Sequence, residues 1–172
     1  MPEPGVATTR AIMGSAGAGW RDGSEGGGHR HTLPPMDVRG CRVDELEQVL
    51  HLWRAAGAEP TVTDDVAGLR ALLEFCPESL LVAVEGGAVV GTLIWGWDGW
   101  RGSFYRLAVD RSFQRRGIAT ALVREGERRL LQVGARRAAA IAVGSADCAV
   151  PFWTAAGYAA QGDRVRLVKN LA

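Results

Sequence analysis

The feature that most constrains this chain is a strand that hands over to a helix across residues 103–130, SFYRLAVDRSFQRRGIATALVREGERRL. An aromatic and aliphatic run passes through a short polar turn, and apolar residues then return at helical spacing. Arg115, Arg116 and Gly117 fall where the helix begins. The first N–H groups of a helix have no internal partner, and the macrodipole leaves partial positive charge there. An anion at that end is stabilised by both effects. Gly117 lets a ligand approach the backbone with no Cβ in the way, and Ala119 keeps the next position small. Two arginines can add charge-assisted bonds to a phosphate. The turn therefore reads as a pyrophosphate seat, although a capped amphipathic helix with solvated arginines would satisfy Arg-Arg-Gly taken alone. It is no P-loop, because no Gly-Lys-Ser/Thr follows.

The rest of the chain sets this unit in a mixed α/β domain over 36–172. MDVRGCR reads as a strand, and VDELEQVLHLWRAA as a helix with Val43, Leu46, Val49, Leu50 and Trp53 on one face and Gly57 as its stop. TDDVAGLRALLEFC is a second helix with Thr63 as N-cap, ended by Pro77. SLLVAVEGGAVVGTLIWGW is a hairpin about Glu85-Gly86-Gly87, and DGWRG turns into the strand 103–110. The long helix is expected over 115–133, closed by Gly134. RRAAAIAV follows as a strand apolar enough for burial on both faces. A short helix about CAVPFWTAA precedes a last strand near YAAQGDRVRLVKNL. The expected order is βααβββαβαβ. Residues 1–35 are Gly-rich and aperiodic, and read as a flexible tail that Met36 could replace as a start. His29 and His31 make a poor metal pair in such a tail, and Gly17-Ala18-Gly19 lacks the strand and third glycine of a dinucleotide fingerprint.

Composition narrows the class. With 20 Lys and Arg against 19 Asp and Glu, net charge is +1, which gives no footprint for nucleic acid. Three scattered cysteines, Cys41, Cys76 and Cys148, form neither a disulfide framework nor a zinc motif. No apolar run is long enough to span a membrane, and no secretory signal is evident. The expectation is a soluble cytoplasmic protein without a metal.

Two motifs sharpen the reading. Gln114-Arg115-Arg116-Gly117-Ile118-Ala119 fits a Q/R-x-x-G-x-G/A signature with RLAVD as the preceding strand, and FWTAAGY at 152–158 is similar to LYEKLGF. On these residues the chain resembles the GNAT superfamily of acyl-coenzyme A-dependent N-acetyltransferases. LAVDRSFQRRGIATALV is similar to bacterial enzymes that acetylate the N-termini of ribosomal proteins, and GWDGWRGSFYRLAV to small bacterial members. The resemblance implies a central, mostly antiparallel mixed sheet with one splayed pair of strands, flanked by helices. It implies acetyl-CoA as co-substrate. Pantetheine would lie along the edge of Leu107, Ala108 and Val109 like an added strand. The Val109 N–H would serve as oxyanion donor. Pyrophosphate would rest on the turn formed by Gln114, Arg115, Arg116, Gly117, Ile118, Ala119 and Thr120. Phe152 and Trp153 would flank the lower pantetheine and the sulfur.

The same resemblance exposes gaps. Family glutamates on the fourth and fifth strands map to Ser103 and Ile141, the usual tyrosine acid to Trp153, and a usual asparagine to Ala146. Tyr105 stands in as candidate acid, because strand alternation would put it on the face of Leu107 and Val109; filling the core is its other reading. Ser145, Asp147 and Cys148 are weaker candidates. Trp97 and Asp98, with Trp95 and Trp100, crowd the hairpin before the fourth strand, and Asp64, with Glu59 and Asp65, lies between the first two helices. Those regions form the family's acceptor rim, and aromatics with carboxylates suit a cationic amine. The expected activity is direct acetyl transfer to a primary amine, either a small molecule or a protein N-terminus, with a homodimer as a possible assembly. The rival is a coenzyme-binding sensor that has lost catalysis.

Overall fold

The computed structural model describes residues 36–142 and 149–171. The tail expected at 1–35, with His29 and His31, lies outside these residues, as do Ser145, Ala146, Asp147 and Cys148. Nine elements follow in chain order: β1 (Asp37–Gly40), α1 (Leu46–Ala55), α2 (Val66–Phe75), β2 (Leu80–Glu85), β3 (Ala88–Trp97), β4 (Gly102–Val109), α3 (Ile118–Gln132), β5 (Ala138–Ala140) and α4 (Ala149–Ala155). They form one sheet in the order β1-β2-β3-β4-β5, antiparallel except for the parallel β4–β5 pair. This is the mixed, mostly antiparallel architecture expected.

Each face of the sheet carries its own core. Leu81, Leu93, Trp95, Phe104, Leu107 and Val109 pack under α3 with Ile118, Leu122 and Leu130. Val82, Leu80 and Ala108 pack on the other face with Leu46, Val49 and Trp53 of α1 and Leu69 and Leu73 of α2. Burying each large aliphatic side chain is worth roughly 1.5–3 kcal/mol. Glycines set how close α3 comes. A Cβ at Gly126 would meet Phe104 at 2.7 Å, and one at Gly91 would meet Ile118 at 2.8 Å. The start of α3 is thereby pressed against the strands beside the end of β4.

Local signals fixed most boundaries, with four exceptions. The cap of α2 is Asp65, whose Oδ1 accepts from Gly68 N–H at 2.6 Å, not Thr63. Helix α3 starts at Ile118, three residues later than expected, because Gly117 stands at φ +79° as its N-cap after the 3-10 turn Arg111–Phe113. Strand β5 is only three residues long and partly exposed, instead of a run buried on both faces. Its alanines bury little area, and on its outer side no strand pairs with it among the described residues. The last strand expected near 158–171 does not form: 159–171 contains no strand, and Val165 and Leu167 are 85% and 89% exposed. Three residues of β5 offer too short a ladder to hold it.

A bulge in β4 has the largest consequence. Ile94 pairs with Tyr105 but Thr92 pairs with Ala108, so β4 spends one residue more than β3 there. Arg106 sits at φ +52°, left-handed backbone that costs a non-glycine residue on the order of 1–3 kcal/mol. The bulge reverses the alternation: Phe104 and Leu107, three residues apart, share the α3 face. Beyond Phe104, β4 has no pairing to β5, whose register covers Gly102, Ser103 and Phe104 only. The two strands part there, as a splayed pair must.

Candidate active site

The free end of β4 points its polar backbone outward. Asp110 N–H bonds to Val90 O at 2.9 Å, toward β3. Backbone groups of successive residues in an antiparallel strand face opposite edges, so the N–H and C=O of Val109 face away from β3. Gln114 confirms the direction, since its Nε2 donates to Val109 O at 3.4 Å. Leu107 and Ala108 have buried side chains, and Ala108, opposite Thr92, turns its N–H and C=O toward β3, so Val109 carries the outward backbone at this end.

Helix α3 supplies the anion end. The N–H of Ala121 finds Gly117 O at 2.9 Å, which leaves the amides of Ile118, Ala119 and Thr120 without a turn to bond into. A Cβ built on Gly117 would touch nothing within 4 Å, so the backbone there is open to approach. Val109, Phe113, Gln114, Arg115, Gly117, Ile118, Ala119, Thr120 and Phe152 line one cleft of about 130 Å³. Eight of these nine were singled out by sequence; Phe113 was missed, and its ring lies under the Arg116 guanidinium at 5.1 Å. Arg115 takes φ +64°, a second left-handed residue in the same turn. Arg116 departs from expectation: its guanidinium donates to Glu85 at 2.7 Å and does not line the cleft. Glu85 closes the β2–β3 hairpin thirty-one positions away, a pairing no local pattern announces.

The positions onto which the resemblance maps catalytic groups lie on a second, broader space. Ser103, Ile141 and Trp153 all line an open groove of about 1130 Å³ between the β5 edge, α3 and the segment after α4. Neighbouring residues of α4 divide the two spaces, with Phe152 on the cleft and Trp153 on the groove. Trp153, expected beside the coenzyme sulfur, is 5% exposed and packed in the core. It stacks on Phe104 at 6.0 Å and meets Tyr158 edge-on at 4.9 Å. Tyr158, also missed, donates its hydroxyl to Glu127 at 2.8 Å, and burial with that bond pushes its acidity down, so the ring stays neutral.

The remaining candidates do not converge. Tyr105 is 37% exposed and lines neither space, because the bulge separates its alternation from that of Leu107 and Val109. Asp98 Oδ1 accepts from the N–H groups of Arg101 and Trp100, which hold its carboxyl below the usual range and tie it to the turn. Trp97 packs toward the α3 face. Asp64 lies on the other face, bound to Arg106 and accepting from Thr61 N–H at 2.7 Å. Of these three, Asp98 lines the broad groove with Ser103 and Trp153, while Trp97 and Asp64 do not. Among the described residues no cluster of His, Cys, Asp and Glu could hold a metal ion, and no helix is long and apolar enough to cross a membrane.

Comparison with known proteins bears on the family and the fold. The pattern of the acetyltransferase (GNAT) family matches residues 46–158. An acetyltransferase of Sodalis glossinidius is 31% identical over 136 residues, spanning 79% of this chain and 96% of that protein. One of Photorhabdus laumondii is 38% identical over 99 residues, 58% of this chain and 69% of its own. Among solved structures, Ard1 from Thermoplasma volcanium superposes with a TM-score of 0.67 at 20% identity, covering 74% of this chain and 84% of that one. The aminoglycoside N-acetyltransferase AAC(6')-Iy in complex with CoA does so at 0.62 and 18%, covering 80% and 96%. The two structures share the fold; the family match and the Sodalis relative carry the assignment. This chain is an acyltransferase of the GNAT acetyltransferase family.

Proposed function

We propose that the protein transfers an acetyl group from acetyl-CoA to a primary amine by direct attack within a ternary complex. The observation that carries this is the cleft in which the unpaired amides of α3 open beside the free edge of β4. The diphosphate of the coenzyme suits the amides of Ile118, Ala119 and Thr120, with Arg115 adding a positive charge. Its pantetheine suits the outward backbone of Val109 as an added strand. The Val109 N–H then stabilises negative charge building on the thioester oxygen as the amine attacks. The amine nitrogen forms a bond to the acetyl carbon and loses a proton; the carbon–sulfur bond breaks and the sulfur gains one. The amine enters from the groove lined by Ser103 and Trp153. No carboxylate occupies the family's base positions, so water in the groove carries the proton. Rate enhancement rests on positioning and the oxyanion contact.

The test is calorimetric titration with acetyl-CoA followed by thiol release against a panel of amines that includes aminoglycosides, polyamines and N-terminal peptides. Binding with release on at least one acceptor supports the proposal. Binding with no release on any acceptor favours the sensor reading, which the missing base positions motivate.

A further inference from the structure

Resting on that reading of the cleft, we infer that Arg106 is a positioning residue for the coenzyme slot, clamped from the opposite face of the sheet. Its backbone forms the β4 bulge, and its side chain runs to the α1–α2 face, where it is 8% exposed. There the guanidinium pairs with Asp64 and donates to Glu59 O and Thr61 Oγ1 at 3.3 Å each. It lies over the Trp53 ring at 5.0 Å. The backbone of the same residue is held as well: Thr92 Oγ1 donates to Arg106 O at 3.0 Å, and Trp53 Nε1 donates to Thr92 Oγ1 at 2.9 Å. Trp53 and Thr92 are both buried. One residue thus has its carbonyl and its side chain tied to β3, to α1 and to the 59–64 connection, in a conformation that costs energy for anything but glycine.

Such over-determination has a physical reason when the strained geometry is needed. The last β4 residue paired to β5 is Phe104, the bulge follows at once, and the free edge of Leu107 to Val109 begins on its far side. Relaxing Arg106 to ordinary strand geometry would remove the extra residue and shift the register of that edge by one. The Val109 N–H would then rotate toward β3. The clamp therefore keeps the edge turned toward the α3 cleft, and it links the 59–64 connection to the coenzyme without touching it.

Arg106→Gly is the decisive variant, since glycine adopts φ +52° without strain yet removes the clamp. Hydrogen exchange across 105–110 and the acetyl-CoA dissociation constant are measured beside Leu73→Ala, which weakens the same α2-side core without touching the clamp. The expected result for Arg106→Gly is about tenfold faster exchange across 105–110 and about tenfold weaker coenzyme binding. Leu73→Ala is expected to leave both near native values, and Arg106→Lys to recover only part of the affinity. Native exchange and affinity in Arg106→Gly would overturn the clamp, and so would equal acceleration in Leu73→Ala. If the native protein fails to bind acetyl-CoA, the proposed function fails, while exchange across 105–110 still decides the clamp.

Discussion

At its C-terminal end β4 delivers backbone groups to an open cleft, whereas around its N-terminal end Asp98, Trp95 and Tyr158 are already engaged and Trp153 Nε1 is buried without a partner among the described residues. Val109 faces outward and the first amides of α3 lie open beside it. Around the other end, Asp98 is tied to its own turn, Trp95 Nε1 donates to Glu78 O at 2.6 Å, and Tyr158 is bound to Glu127. The contrast teaches where this chain keeps its recognition and where it keeps its rigidity. On the proposed reading, recognition of the coenzyme is a backbone property and survives loose side-chain choice. Chemistry at the acceptor end depends on side chains, and there the family's polar positions are held by Ser103, Ile141 and Trp153.

If the open end is an anion seat, a negative charge inside it should do the most damage. Gly117→Glu puts a carboxylate where a Cβ meets nothing but open space. Coenzyme affinity should fall by more than about a hundredfold, or roughly 2.7 kcal/mol. Gly117→Asn separates charge from backbone strain, because asparagine tolerates left-handed φ. It should lose far less. Equal losses in calorimetry would show that the turn's shape, not its charge, is what matters.

The two arginines of the turn sharpen the comparison further. Arg115→Ala should raise the KM for acetyl-CoA about five- to tenfold, the scale of one charge-assisted bond. Arg116→Ala should raise it no more than about twofold, because that guanidinium already serves Glu85. Reversed magnitudes in steady-state kinetics would mean that Arg116 leaves Glu85 when coenzyme arrives.

This division also explains what could be read in advance. The turn at Gly117, the α3 stop at Gly134 and the Gly86-Gly87 hairpin are written in adjacent residues, and the structure has all three. The engagement of Arg116 with Glu85, the burial of Trp153 against Phe104 and the bulge at Arg106 each depend on partners far along the chain. Alternation predicted one face for Tyr105 and Leu107, and a single extra residue in β4 undid it. The last strand failed for a related reason: its apolar alternation was present, but the edge it needed is three residues long.

On α3 itself, away from both sites, Glu125 tests whether the helix is an independent support. Hydrogen bonds from Arg128 and Arg129 draw its carboxyl from 4.5 to about 2. A depressed value means the folded state prefers the charged form, so the stabilisation is present above about 4.5 and is lost as pH falls toward 2. Glu125→Gln should therefore cost about 1 kcal/mol at neutral pH, as a partly exposed network does. The difference from native should shrink across that window in denaturant melts. Coenzyme affinity at pH 7 should not move.

The smallest effect is expected at Tyr105, and it bears most directly on the reaction. Its hydroxyl lies outside the cleft and outside the groove lined by Ser103 and Trp153, on the side of the bulge away from Val109. A proton donor must come within hydrogen-bond reach of the sulfur, directly or through one water. Tyr105→Phe removes only the hydroxyl and keeps the ring beside Gly96, where a Cβ would lie 3.7 Å away. Turnover should stay within about twofold of native, since general acid catalysis by a positioned group is worth about a hundredfold or more. A loss of that larger size in kcat, with KM for the coenzyme unchanged, would bring Tyr105 back into the chemistry. It would also mean that β4 turns at the bulge when both substrates are bound, which the clamp on Arg106 is built to prevent.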